Sequence, residues 1–163
     1  MTGTPINGSD LMLFLKGDAE DYISIAFATS HTLSLSTETI ETSSKDTGGK
    51  WVSKAPRKLS WTTSTENLYA VEGDGKTFDD LFTLWSERKE IEVVFSLEKD
   101  YATKKDEVPS GGWTPIEAGQ YKGKVIITSL EVNAPNGDNA TFTASFEGVG
   151  ALTKVLSLKP LYL

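Results

Sequence analysis

The sequence predicts a mainly-β α+β domain: an antiparallel β-sandwich or barrel-like sheet with one flanking α-helix at about 77–89. Three observations predict it. Serine and threonine alternate with apolar residues through several short segments, the period-two signature of half-buried strands. One segment carries apolar residues at helical spacing instead. Asparagine, glycine and proline gather between these segments, where turns need them. Strands, one helix, then strands is an α+β order rather than a βαβ repeat.

Leu11–Lys16 is the first strand. Tyr22–Thr29 is the second, with Ile23, Ile25 and Phe27 on one face. His31–Glu41 follows, setting Leu33 and Leu35 against Ser34, Ser36 and Glu38. Residues 43–58 lack a sustained apolar period and read as a long loop. Arg57–Thr65 sets Leu59 and Trp61 against Ser60, Thr62 and Ser64. Thr77 is placed to cap the helix, with Asp79 and Asp80 at the positive end of its dipole. Phe78, Leu81, Phe82 and Trp85 recur at i, i+3, i+4 and i+7, a stripe expected to face the core. Arg88 and Lys89 close the helix at the end where cations are favoured. Ile91–Leu97 is a strand with Ile91, Val93, Phe95 and Leu97 on one face. Residues 98–120, with Pro109, Gly111, Gly112 and Pro115, read as a second long loop. Tyr121–Asn133 and Ala140–Glu147 are strands joined by the turn Ala134–Asn139, where asparagine and glycine supply positive φ. No role is assigned to 155–163.

The 163 residues fit a single domain spanning 1–163. With no cysteine and one histidine, disulfides, thiolate sites and a structural zinc site have no ligands, and no cofactor or metal is expected. No basic-then-apolar leader and no membrane-length apolar run occur, so synthesis in the cytoplasm and no membrane partner are expected. The net charge of -7 argues against a protein that holds nucleic acid through its phosphates. Residues 43–58 nonetheless carry Lys45, Lys50, Lys54, Arg57 and Lys58 against Asp46 alone, a local +4 that leaves -11 for the rest. A basic loop on an acidic body favours head-to-tail self-association. Asp79 with Asp80, and Glu38 with Glu41, lack the separation across a pocket that paired catalytic carboxylates need, and His31 has no evident triad partners. The chain reads as no enzyme. Trp51 and Trp113, in loops beside glycines, leave open a monomeric or adhesive β-sandwich that binds carbohydrate or builds a pilus-like structure.

The stretch Tyr121–Lys154 holds Ile-Thr-Ser-Leu-Glu at 127–131, Pro-Asn-Gly-Asp-Asn at 135–139 and Ala-Thr-Phe-Thr-Ala-Ser-Phe-Glu-Gly-Val-Gly at 140–150. It resembles the C-terminal hairpin of phage major tail (tail tube) proteins. Upstream, residues 33–46 resemble that family's strand into a long lysine- and glycine-containing loop, Trp61 begins a similar following strand, and the helix falls in the family's position. Order and spacing of these four features, over most of residues 10–155, carry the resemblance. It implies a tail tube fold related to type VI secretion tube proteins. It also implies hexameric rings stacked as a conduit for genome delivery, in the virion tail, assembled in a bacterial host's cytoplasm. Implied partners are further copies of the chain, a tape measure protein and tail terminator or tip proteins, with DNA passing but not specifically bound. Residues 43–58 then become an inter-subunit loop, with ring-to-ring contacts at Lys45, Lys50, Trp51, Lys54, Arg57 and Lys58. A bore that lets a polyanion slide should be wet and not basic. The less apolar strand faces supply the lining candidates: Ser34, Ser36, Glu38, Ser60, Thr62, Ser64, Glu131, Thr143, Ser145 and Glu147.

Overall fold

A computed structural model of the chain describes residues 3, 5–17, 21–44, 49, 51–99, 109, 112–116 and 121–154. The strands are β1 (Leu11–Lys16), β2 (Tyr22–Ser24), β3 (Ala28–Glu41), β4 (Lys54–Leu68), β5 (Ile91–Leu97), β6 (Tyr121–Asn133) and β7 (Thr141–Lys154). One helix, α1 (Phe78–Ser86), lies between β4 and β5 in sequence, and a 3-10 turn, Gly8–Asp10, precedes β1. The strands form one sheet in the order β2-β1-β5-β6-β7-β4-β3, not closed into a barrel. Every pair of neighbours is antiparallel. The structure is thus a mainly-β α+β fold with a single described helix.

The sheet bends so that β1 approaches β3, and both halves share one core. Leu13, Leu15, Val93, Val125, Trp61, Phe142 and Phe146 are buried together with Leu81 of α1. Trp61 organises the middle of that core. Its ring lies over Gly123 and Gly148, where any Cβ would overlap it, and its Nε1 donates to the Gly150 carbonyl at 3.1 Å. Glycine is required there for close approach.

Several boundaries differ from the sequence reading. The segment expected as one strand at 22–29 breaks after Ser24, because the backbone around it is claimed by Lys76. The Lys76 amide donates to the Ser24 carbonyl at 2.9 Å and the Ala26 amide donates to the Lys76 carbonyl at 2.7 Å. The chain turns at Phe27, whose φ is 56°, and leaves β1 to join β4. The expected 43–58 loop is shorter, since β3 and β4 pair out to Glu41 and Lys54. Lys54, Arg57 and Lys58 are strand residues. Pro56 is tolerated because β4 pairs with β7 only over 62–68, so this part of β4 is a ribbon edge, where a missing donor costs little. Lys45 and Lys50 lie outside the described residues, as does 155–163.

The helical stripe divides. Asp80 Oδ2 accepts from the Thr77 amide at 3.0 Å and from its hydroxyl at 3.3 Å, fixing the start of α1. Arg88, at φ 56°, follows its end. Leu81 is fully buried, and Phe78 packs against Tyr69 and Phe142, with ring centroids 5.4 and 5.3 Å away. Phe82 and Trp85, expected in the core, are 50% and 46% exposed. The physical reason is that α1 rests mainly on β6, so its apolar stripe is wider than the surface beneath it. Within 98–120, the described residues pair back on the sheet. Lys99 N donates to Thr114 O at 2.7 Å, and Ser24 N donates to Trp113 O at 3.1 Å.

Candidate functional site

Four strands, in the order β6-β7-β4-β3, carry alternating side chains on two faces. Strand register sorts them. On one face, Leu33, Thr63, Phe146 and Ile127 form a row across the sheet, and His31, Thr65, Ala144 and Leu130 form another. This is the core face. The opposite face runs in rows of hydroxyls and carboxylates. Ser30, Glu66, Thr143 and Glu131 make one row. Thr32, Ser64, Ser145 and Ser129 make the next, and Ser34, Thr62, Glu147 and Ile126 the third. Ser36 opposite Ser60 extends the face along the β3–β4 ribbon.

The structure therefore brings together Ser34, Ser36, Ser60, Thr62, Ser64, Glu131, Thr143, Ser145 and Glu147 on one polar face. Glu38 stands apart, at the irregularity between Thr37 and Thr39, where its Oε1 lies 3.6 Å from Arg57 Nη1. Ser30 and Glu66 belong to the face and were missed by sequence reasoning, and Thr32 and Ser129 join the named candidates on it. For Glu66 the signal was present, since it extends the Thr62, Ser64 alternation by one step. No lysine or arginine lies in these rows, and Glu66, Glu131 and Glu147 are all exposed.

The face ends at two edges. β3 is the last strand of the sheet. On the other side β5 pairs with β6 only over residues 121–125, so the second half of β6, residues 126–133, has β7 on one side and no described strand on the other. These edges run in opposite directions. Beyond the four-strand sheet, β3 and β4 continue as a two-stranded arm carrying Lys54, Arg57 and Lys58. Trp51, next to its tip, is 91% exposed. Trp113, by contrast, is half-buried against β2, its amide donating to Ser24 Oγ at 3.0 Å.

A second polar cluster lies away from this face and ties four strands. Glu92 of β5 accepts from Lys122 of β6 at 2.6 Å, Tyr22 of β2 at 2.7 Å and Lys16 of β1 at 3.3 Å. The hydrogen bonds from Lys122 and Tyr22 hold its carboxyl at a pKa of about 2. All its partners are donors satisfied by one carboxylate, an arrangement that braces strands.

Residues 5–154 match the family described as phage tail tube protein. No curated protein sequence matches the chain. Among solved structures, the chain is similar to one from the tail of an empty gene transfer agent particle obtained by helical refinement with C6 symmetry. The two are 18% identical with a TM-score of 0.69, covering 93% of this chain and 100% of that one. It is also similar to the SPP1 tail tube, at 12% identity and a TM-score of 0.63, over 95% of this chain and 81% of that one. A chain of the 6-fold symmetrised anti-feeding prophage baseplate matches at 8% identity and a TM-score of 0.58, over 98% and 100% of the two chains. At such identities the likeness is one of fold. The family match spans nearly all of the chain, and the fold agrees with it: the protein is a structural, non-enzymatic member of the phage tail tube protein family.

Proposed function

We propose that six copies of this chain close into a ring, that rings stack into a tail tube, and that the polar face of β3, β4, β7 and β6 lines its bore. One observation carries the reading: a polar four-strand face that ends at two oppositely directed edges with no further strand among the described residues. An unpaired edge in a monomer is an aggregation hazard, and closing several sheets into a barrel removes it. Copies related by rotation present β3 of one to the free half of β6 of the next, antiparallel, and a heterologous contact whose rotation closes gives a ring. Six copies follow the C6 and 6-fold symmetry of the similar assemblies.

The three rows of the bore carry hydroxyls, Ile126 and the carboxylates of Glu66, Glu131 and Glu147, so a passing polyanion finds no cation in them to hold it. The β3–β4 arm, with Trp51, Lys54, Arg57 and Lys58, reaches the next ring, and Lys45 and Lys50 belong to the same contact. A tape measure protein and terminator or tip proteins complete the tail, which assembles in the host cytoplasm and delivers the genome. Electron microscopy of the purified chain tests the core of this reading. Rings or tubes with six-fold averages are expected. A chain that stays monomeric at high concentration refutes it and favours the adhesive-module alternative.

A further inference from the structure

Two apolar surfaces lack cover among the described residues of one copy, and the fold places them to meet across neighbouring copies. The first is the far end of the core face of β3 and β4. Along β4 the core row passes from buried Thr65, Thr63 and Trp61 to Leu59, which is 79% exposed, and on β3 Leu33 packs on the core while Leu35 is 68% exposed. The second is the outer flank of α1, where the rings of Phe82 and Trp85 lie tilted against each other, centroids 5.9 Å apart. At about 100° per residue, these aromatics project opposite to Asp80, Thr83 and Glu87. The latter flank shares a cleft with Lys16 and Glu92 of the subunit's own sheet and with Lys76 just before the helix. Under the aromatic flank lies a groove of about 420 Å³ between Trp85 and Ile126 and Ile127, with Arg88 and Lys89 at its rim. Its floor is the start of the unpaired edge of β6.

We propose that this groove receives Leu35 from the next copy of the chain, with Leu59 against Phe82, so that Phe82 and Trp85 are assembly contacts. The proposal deepens the ring reading and rests on it. Register supports a second copy as the occupant. Ser30–Ser36 of β3 matches 126–133 of β6 in length once Thr128 is passed over, the residue at the register shift between Ile127 and Ser129. Laid antiparallel end to end, the two edges set Thr32 against Glu131 and Ser34 against Ser129 on the polar face. On the core face they set His31 against Val132, which is 45% exposed in one copy, and Leu33 against Leu130. Leu35 then arrives beside Ile127, in the groove. Both faces keep their character, whereas a one-residue slip would mix them. The acidic end of β3, Glu38 and Glu41, arrives at Arg88 and Lys89.

The chain has no cysteine, so engineered pairs report directly. Oxidised tubes of a Leu35→Cys, Trp85→Cys variant should run as a ladder of covalent multimers under denaturing conditions. A Thr32→Cys, Glu131→Cys variant should do the same through the strand edges. Tubes that give a ladder with the second pair but not the first overturn the groove contact and leave the ring standing. A chain that forms no rings without any substitution overturns both. Trp85→Glu, at a half-exposed position, should leave the monomer's circular dichroism unchanged and raise the concentration needed for assembly by about ten-fold or more. Assembly of Trp85→Glu at the original concentration would equally overturn the proposal.

Discussion

His31 is the chain's only histidine, and its Nδ1 is buried without a hydrogen-bond partner, beside a cavity of about 770 Å³ shared with Phe95 and Trp113. Burial pushes its pKa from 6.5 down to about 4. The folded chain therefore holds the imidazole neutral, and the unfolded chain takes up the proton first as pH falls below 6.5. Stability from this group is full above about pH 6.5, declines below it and is fully lost near pH 4. The single histidine resonance should titrate near 4, and urea titrations at pH 7.5 and 5 should differ by up to about 2 kcal/mol. Asparagine at this position should flatten that dependence. Sequence placed His31 on a strand but did not show its burial, because its surroundings come from segments distant along the chain. The same holds for Trp61, whose apolar strand face was legible while its glycine platform was not. Gly148→Ala should cost about 1–3 kcal/mol, the range for overpacking, because the ring of Trp61 occupies the methyl position. Gly8→Ala, with nothing within 4 Å, should change urea stability by less than about 0.5 kcal/mol.

Periodicity finds an element but not the ground it lies on. The spacing of Phe78, Leu81, Phe82 and Trp85 identified α1, yet only its inner half is covered, since the helix rests mainly on β6, where β5 has left it after Val125. Leu81→Ala should cost about 2–5 kcal/mol in the isolated subunit. Trp85→Ala should cost under about 1 kcal/mol by urea titration, because much of that ring is already in water. Strand limits were legible in β1, β5 and β6, where an apolar or alternating run ends at a charged or turn-forming residue. They failed at Phe27, where a positive φ breaks the expected strand, at Lys54–Lys58, where proline and charge mask a chain that is still paired, and after Glu147, where β7 runs on to Lys154 against β6. The brace at Glu92 was invisible in sequence, since Lys16, Tyr22, Glu92 and Lys122 come from four strands. Its carboxyl titrates at about 2, well below its ordinary 4.5, so the brace is present above pH 4.5 and is lost as pH falls toward 2. Glu92→Gln should cost about 1 kcal/mol at neutral pH, given that Lys122 is nearly half exposed. The gap between variant and parent should close by pH 2.

At the scale of the whole molecule, charge and alternation divide the work. The chain carries -7 overall with a basic segment at 43–58, and the structure puts Lys54, Arg57 and Lys58 on an arm away from the three carboxylates of the polar face. That the hydroxyl and carboxylate positions share a face was legible because side chains alternate across any strand. What sequence could not show is where the face ends, since this depends on β5 leaving β6 after Val125. If the face lines a bore, its charge governs passage rather than folding. Glu131 and Glu147 are exposed and lie outside the core, so Glu131→Lys combined with Glu147→Lys should still give tubes of normal appearance. The substitution turns two carboxylates per copy into cations facing the path of the DNA. Counterion release would then favour binding of the passing polyanion, and particles should adsorb normally but deliver their genome slowly. Added salt weakens such contacts, so delivery should recover as ionic strength rises past about 0.15 M, where the screening length falls to about 8 Å. Particles with both lysines that deliver at the parental rate in low salt would place Glu131 and Glu147 outside the bore, and the polar face with them.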